Sequence, residues 1–380
     1  MKICMIIMTE FVNDARVTKE INTLVKSGYN PDIFALKSKE TEKYEKKDGY
    51  RIFRISVKLR YLLPRKHVFF FLKYLEFAVR VIFKAGKEKY SLFHAHDLET
   101  LPIGFILSVI YKKPLVYDSH ELYVDMVKHG RFTKRLWFAV EKFLAGRTNA
   151  NILTTESRGK IFSERYSTEF PYIIKNVQIL KPLIKTNKLH DILNIPKTEP
   201  IILYQGIVSK ARGVDVLVDA IEYVKKGVLV LIGPGEYKTN LIEDVDERGL
   251  GKRVFILDPV PWKDLYLYTA SASIGISLVQ NIGLNNYTML SNKLFEYLSA
   301  GLPVIFPDFP EWRNLIISEG VGLVVDQTNP GEVADAINEI LLSDDKYSAM
   351  SAKARKIVEN KYNWGIEEKK LLKIYRDLLN

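Results

Sequence analysis

The 380-residue chain holds one cysteine, Cys4, so no internal disulfide can form. Its place in the apolar opening run MKICMIIM marks it as a core residue, and a lone thiol fits a reducing cytoplasm. That opening run is too short for a signal peptide and carries no cleavage-type site. No stretch of about 18 apolar residues is free of charge, so no spanning helix is expected. Glycine is missing where a dinucleotide fingerprint would need it: the turn after the first strand-like run reads TEFVND. Zinc-finger cysteines, an aromatic RNA-binding signature and a helix-turn-helix pattern are missing too, which argues against a nucleic-acid partner. Acid is in short supply. Lys and Arg total 56 against 45 Asp and Glu, and the resulting +11 favours anionic partners such as nucleotides or a membrane surface.

What is present reads as α/β. Hydrophobic residues make up 47% and charged residues 27%, the balance of a soluble globular protein long enough for two domains. Residues 2–8 form a buried strand pattern, Asn13 and Asp14 can cap the next helix, and Val17, Ile21, Leu24 and Val25 mark its buried face. Gly28 ends that helix and residues 31–36 read as the next strand, a βαβ start. Residues 37–50 read as a charged loop. From Val68 to Phe83 the chain is strongly apolar, with a polar stripe of Lys73, Glu76, Arg80 and Lys84, preceded by Arg60, Arg65, Lys66 and His67. Two readings stand for region 60–90: a core helix with one solvated face, or a basic amphipathic surface that meets anionic lipid.

SLFHAHD (91–97) and PLVYDSHE (114–121) each run as a strand into a polar tip, where open α/β sheets place ligands. The tips carry His94, His96, Asp97, then Asp118, His120, Glu121, with His129 beyond. The spacing is poor for a metal, and a polar cluster that grips a sugar fits better; His94 reads as structural. Residues 131–148 read as a helix, ANILTTE and YIIKN (172–176) as strands, and 177–200, with three prolines, as the linker. A second α/β series follows, with strands at 201–206, 228–232, 254–259, 273–279 and 322–326.

The richest stretch is Asn286–Trp312. Ser291 reads as a helix N-cap whose hydroxyl accepts from the first turn, and Leu294, Phe295 and Leu298 form the buried face. Gly301 stops the helix before a strand from Pro303 to Pro307. Asn292, Lys293 and Glu296 share the other face. A helix N-terminus with a lysine suits phosphate, and Glu296 suits a pair of sugar hydroxyls. The loop from Gly206 adds Lys210 and Arg212, cations fit for a pyrophosphate. The bland alternative is a plain helix with polar residues in water.

These segments, HAHD, YDSHE and SNKLFEY…AGLPV, resemble a subgroup of the family 4 glycosyltransferases, and the resemblance extends over nearly the whole chain. It implies the GT-B fold: two Rossmann-like parallel-sheet domains facing a cleft. Residues 1–178 would bind the acceptor, 179–361 the nucleotide sugar, and a closing helix, 362–380, would cross back with Trp364 and Tyr375 as anchors. It implies retention of configuration and no cofactor or metal, with a UDP-sugar as donor and a glycan or lipid-linked acceptor. Gly206, Lys210, Arg212, Gly235, Val260, Ser291, Asn292, Lys293 and Glu296 would bind the donor, Glu296 at the ribose. His120 and Asp97 would be catalytic, and Arg16, His96 and Glu121 would line the acceptor side, although Arg16 reads equally as a surface residue. Two departures stand out. Thr288 occupies the place of the family's first glutamate, and Ile207 that of an arginine. Asn285, Asn286 and Tyr287 could hold the sugar instead. A UDP-sugar 2-epimerase and a non-catalytic nucleotide-sugar-binding protein are the rival readings. The expected setting is cytoplasmic, peripheral on the inner face of the membrane, in cell-surface polysaccharide or glycoconjugate synthesis.

Overall fold

The computed structural model describes residues 1–12, 14–64, 69–126 and 130–380. Asn13, Arg65, Lys66, His67, Val68 and His129, which figure in the reading above, lie outside those residues. The chain divides into two compact units, one of residues 1–175 with 367–380 and one of 176–366.

The first unit runs β1 (Lys2–Ile6), α1 (Ala15–Lys26), β2 (Asn30–Leu36), β3 (Tyr44–Lys47), β4 (Tyr50–Ile55), α2 (Leu59–Leu62), α3 (Phe70–Ala85), β5 (Leu92–His96), α4 (Leu101–Tyr111), β6 (Leu115–Ser119), α5 (Arg131–Ala145), β7 (Ala150–Leu153), α6 (Glu156–Tyr166) and β8 (Tyr172–Ile173). Its eight-stranded sheet has the order β3-β4-β2-β1-β5-β6-β7-β8, parallel except for the β3–β4 pair. β1 sits at the centre because Ile3 to Ile6 are apolar on both faces, as a strand covered on both sides must be. Asp14 caps α1, its carboxylate accepting from Val17 N at 3.0 Å.

Residues 37–50 are not simply a loop. They hold β3, which pairs antiparallel with β4 across Asp48-Gly49, where Gly49 takes φ +84°. Asp-Gly between alternating residues is a hairpin signal that was legible in the chain. In α3 the inner face is Tyr74, Phe77, Ala78, Val81 and Ala85. Glu76 of the polar stripe caps α2, accepting from Lys58 N at 2.9 Å and Leu59 N at 2.8 Å, and pairs with Arg80 at 2.8 Å.

The second unit runs α7 (Lys188–Leu193), β9 (Ile201–Gln205), α8 (Val214–Ile221), β10 (Val228–Ile232), α9 (Lys238–Glu247), β11 (Val254–Leu257), α10 (Leu265–Thr269), β12 (Ile274–Ile276), α11 (Leu284–Tyr287), α12 (Asn292–Ser299), β13 (Val304–Pro307), α13 (Pro310–Glu319), β14 (Gly322–Val325), α14 (Pro330–Leu341) and α15 (Asp344–Asn360). Its sheet, β11-β10-β9-β12-β13-β14, is parallel throughout. Successive strand residues feed opposite cores: Ile201 and Leu203 join Leu294, Leu298 and Trp312, while Ile202 and Tyr204 join Val218 and Ile337. The stretch 177–200 is no bare linker. It carries α7, and Leu189 is fully buried in this unit's core. The last helix, α16 (Trp364–Leu379), straddles the division: Trp364 belongs to the second unit, its amide donating to Gln178 O at 2.9 Å, whereas Tyr375 is buried in the first. Strand order reverses between β1 and β5 in one sheet and between β9 and β12 in the other, the positions where such sheets open a crevice at their strand C-terminal ends.

Candidate functional site

In the second unit, two loops beside the β9/β12 reversal lie against each other with no room for side chains. Gly206 N donates to Ile232 O at 2.8 Å, and Val208 N to Pro234 O at 2.8 Å. A Cβ on Gly233 would sit 2.0 Å from Gly206 O, and one on Gly235 would sit 2.0 Å from Val208 O. Both obstacles are backbone and cannot swing aside. Gly235→Ala is therefore expected to cost roughly 1–3 kcal/mol, read as a lower urea midpoint; an unchanged midpoint would show the loops are less closely matched than this.

Gly206 also makes room for Lys293. A Cβ there would lie 2.4 Å from Lys293 Cε. The ammonium instead rests 4.4 Å over the Tyr204 ring and donates to its hydroxyl at 3.2 Å. Burial, reinforced by the Arg212 charge and opposed by Glu296, lowers the Lys293 pKa to about 7. Arg212 ends the short turn after Ser209; Lys210 of the same turn stands 5.1 Å over Tyr237.

Ser291 is the N-cap residue of α12, in extended conformation, but its hydroxyl makes no capping bond and is buried without a partner. The cap expected from sequence is thus not made; Leu294 N donates to Ser291 O at 3.1 Å, and the amides of Asn292 and Lys293 are left for another acceptor. Asn292 starts the helix. Glu296, one turn beyond Lys293, accepts from Gln205 Nε2 and, at 3.4 Å, from Gln178 Nε2. Gln205 is in turn fixed by Thr269 Oγ1, which donates to its Oε1 at 2.9 Å, and by its own amide, which donates to the Tyr297 hydroxyl at 3.0 Å. Gln205, Gln178 and Tyr204 were missed in the sequence, although a polar residue closing an apolar strand, as Gln205 does, is a usable signal. Thr288 is buried and donates to Leu284 O at 2.8 Å, so the place of the family's first glutamate is a structural hydroxyl here. Asn286 is bonded to Gln280 O at 3.2 Å, and Val260 packs half-buried against the core.

In the first unit the strand tips meet α1. Asp118, at the end of β6, receives a bidentate grip from Arg16, Nε to Oδ2 at 3.0 Å and Nη2 to Oδ1 at 2.8 Å; Nη1 donates to Ile174 O at 2.9 Å. Glu20, one turn along α1, lies 3.2 Å from Arg16 Nε. Arg16 is therefore not a surface residue; its guanidinium is buried and each of its three nitrogens is bonded, two of them to Asp118. His120 Nε2 sits 3.3 Å from Asp118 Oδ2 and 3.2 Å from His96 Nδ1, and its Nδ1 lies 3.5 Å from Asp97 Oδ2. Asp97 holds φ +62°, a left-handed backbone that turns its carboxylate to accept from His120 N at 3.1 Å. Burial opposes charge on His120, but Asp97 and Asp118 outweigh it and raise the pKa to about 10. Burial likewise resists the Asp118 charge, yet Arg16 and His120 hold that carboxyl well below its usual range. Burial and the Asp118 charge, against Arg16, push Glu20 up to about 8. His96 is buried beneath this pair, stacked 4.1 Å from His94, whose Nδ1 meets the Tyr375 hydroxyl at 2.7 Å. The half-buried Glu121 contributes its carbonyl, which accepts from Ser119 Oγ at 2.8 Å.

Among the described residues one group could offer four metal ligands: Glu20, His94, His96 and Asp118, with one atom from each all within 4.8 Å of one another. Arg16 already lies on both carboxylates and supplies the counter-charge a metal would bring. A cavity lined by Met8, Leu36, Tyr61, Phe70 and Glu99 opens at the same strand ends.

Each half of the chain matches one family model, group 1 glycosyl transferases over residues 185–357 and glycosyltransferase family 4 over residues 16–173. The fold is of the GT-B type, and each half of the chain is similar to a glycosyltransferase family. Its sequence is 24% identical over 192 residues to a D-inositol 3-phosphate glycosyltransferase of Xylanimonas cellulosilytica, a match spanning 49% of this chain and 44% of that protein. Its fold is similar to a sucrose-phosphate synthase from Thermosynechococcus elongatus (TM-score 0.83, 20% identity, 99% of this chain and 98% of that one). It is similar as well to Anabaena HepE in complex with UDP-glucose (TM-score 0.76, 16% identity, all of both chains).

Proposed function

We propose that this chain is a retaining hexosyltransferase that moves a sugar from a UDP-sugar to a glycan or lipid-linked acceptor, in cytoplasmic synthesis of cell-surface polysaccharide or glycoconjugate. The observation that carries the reading is the convergence of Lys293, Gly206 and the uncapped first turn of α12, one turn ahead of Glu296. Amides and the ammonium would hold the diphosphate, with Arg212, and with Lys210 once it leaves Tyr237. Glu296 would take the ribose hydroxyls, and Val260 the base. The presence of UDP-glucose on a protein of the same fold supports this choice of donor.

In the reaction the bond from the anomeric carbon to the diphosphate oxygen breaks as the acceptor oxygen bonds to that carbon. The acceptor proton passes to a leaving phosphate oxygen, so no glycosidase-type carboxylate pair is needed. Cations and amides fixed before the reaction stabilise the charge that builds on the diphosphate. No cofactor enters this scheme. Both ring nitrogens of His120 face carboxylates, so Asp97, a third exposed, is the polar group this cluster presents for a sugar or acceptor hydroxyl.

UDP-sugars are expected to raise the melting temperature of the protein. Glu296→Ala is expected to weaken donor binding by roughly 1.5–3 kcal/mol, about 10–150-fold, measured by calorimetry. Equal affinity in the variant would remove Glu296 from the site. An epimer formed from UDP-sugar alone would favour the epimerase, and no UDP release with any donor and membrane extract would leave a binding protein.

A further inference from the structure

Helix α4, LPIGFILSVIY, is apolar on every side, which normally marks a helix covered all round. Leu101, Ile103 and Leu107 are buried, but Ile106, Val109 and Ile110 stand in the open, Val109 at 59% and Ile110 at 57% exposure. Its neighbours repeat the pattern. α3 packs on one flank and α5 on the other. α3 exposes Phe71, Leu75, Val79 and Phe83, and α5 exposes Phe132, Leu136 and Phe143. One helical layer of the first unit thus carries a contiguous apolar outer face, far more than scattered surface hydrophobics.

The charge around this face has one sign. The only acids in the three helices are Glu76, paired with Arg80 and the α2 amides, and Glu141, buried against the Tyr117 and Tyr166 hydroxyls. The cations are exposed: Lys112 and Lys113 follow α4, and Arg131, Arg135 and Lys142 lie on α5. A groove beside Phe83 is lined by Lys43, Lys58, Lys84 and Lys87, none of them in an ion pair among the described residues.

We infer that the outer face of α3, α4 and α5 docks on an anionic lipid bilayer. The aliphatic and aromatic side chains would enter the interfacial region, while the lysines and arginines meet lipid phosphates. A second copy of this chain fits poorly, because a two-fold interface sets like on like and would press these cations together. The docking extends well beyond residues 60–90, and it is independent of the reaction catalysed. Phe70, at the start of α3, also lines the cavity at the strand ends, so a membrane-borne acceptor would arrive beside it.

The test is flotation of the full chain, without substrate, on vesicles of phosphatidylcholine with and without phosphatidylglycerol. The protein is expected to float with the anionic vesicles, less so at high salt, and to stay down with phosphatidylcholine alone. Val109→Asp with Ile110→Asp is expected to reduce binding about tenfold or more, and Lys84→Glu with Lys87→Glu to reduce both binding and its salt dependence. Circular dichroism and UDP binding should be unchanged, since all four residues are exposed and none lies in the second unit. The inference fails if the wild type ignores both vesicles, or if the Val109/Ile110 variant floats as well as the wild type. It fails equally if light scattering shows a dimer that this variant splits while vesicle binding is absent.

Discussion

Raising the pH from 7 to 8.5 should weaken UDP-sugar binding by roughly 15-fold in all, while between pH 6 and 7 affinity should change by no more than about twofold. The sign follows from Lys293. Burial and the Arg212 charge bring its pKa down to about 7 from an ordinary 10.5. A pyrophosphate placed on its ammonium restores the charged form. Above pH 7, binding must then take up a proton, and each further pH unit costs about 1.4 kcal/mol. Below pH 7 the lysine is already charged and nothing is lost. Lys293→Met should flatten this profile and, at pH 6.5, weaken binding by roughly 1.5–3 kcal/mol, the range for a hydrogen bond to a charged group. Calorimetry in buffers of different ionisation heat would report close to one proton taken up per donor at pH 8. An affinity constant across pH 6.5–8.5, with no proton uptake, would place the diphosphate away from Lys293.

Why the two sites differed in legibility is a matter of sequence distance. The α12 stretch was readable because Ser291, Lys293 and Glu296 are neighbours on one helix, and the periodicity of Leu294, Phe295 and Leu298 fixes which face they occupy. What was not readable was the state of Ser291. Whether a hydroxyl caps its helix depends on its rotamer and the packing around it, and here it is buried and unbonded. The histidine tips were visible as strand ends, but their electrostatics were not. Asp118 owes its charge to Arg16, which lies 102 residues earlier and reaches it only because β1 pairs beside β5, and β5 beside β6. The exposed face of α4 was plain in its composition. Only the packing of α3 and α5 along its flanks shows that, among the described residues, its outer face is left exposed.

Asp118→Ala should be the most damaging single change in the first unit, at about 3–5 kcal/mol, because it takes the bidentate partner from the buried Arg16 and one of two carboxylates from the half-buried His120. That is a large fraction of the stability of an ordinary domain. Arg16 cannot deprotonate, and His120, stripped of one carboxylate, should fall from about 10 toward an ordinary histidine. A histidine resonance titrating at that lower pH in the less disruptive Asp118→Asn variant would separate this cause from simple loss of packing. Glu20→Gln should behave in the opposite way. A carboxyl raised to about 8 keeps its proton on folding, whereas the unfolded chain loses it near 4.5. Between those values the folded state binds the extra proton, so the wild type loses stability as pH rises, by at most about 1.4 kcal/mol per unit. Glutamine carries no such proton. Urea midpoints at pH 5 and pH 8.5 should therefore show the variant gaining on the wild type at the higher pH, other groups cancelling in the difference. If the difference between the two proteins is the same at both values, Glu20 ionises normally and the Arg16–Asp118 pair holds its charge without help from a protonated neighbour.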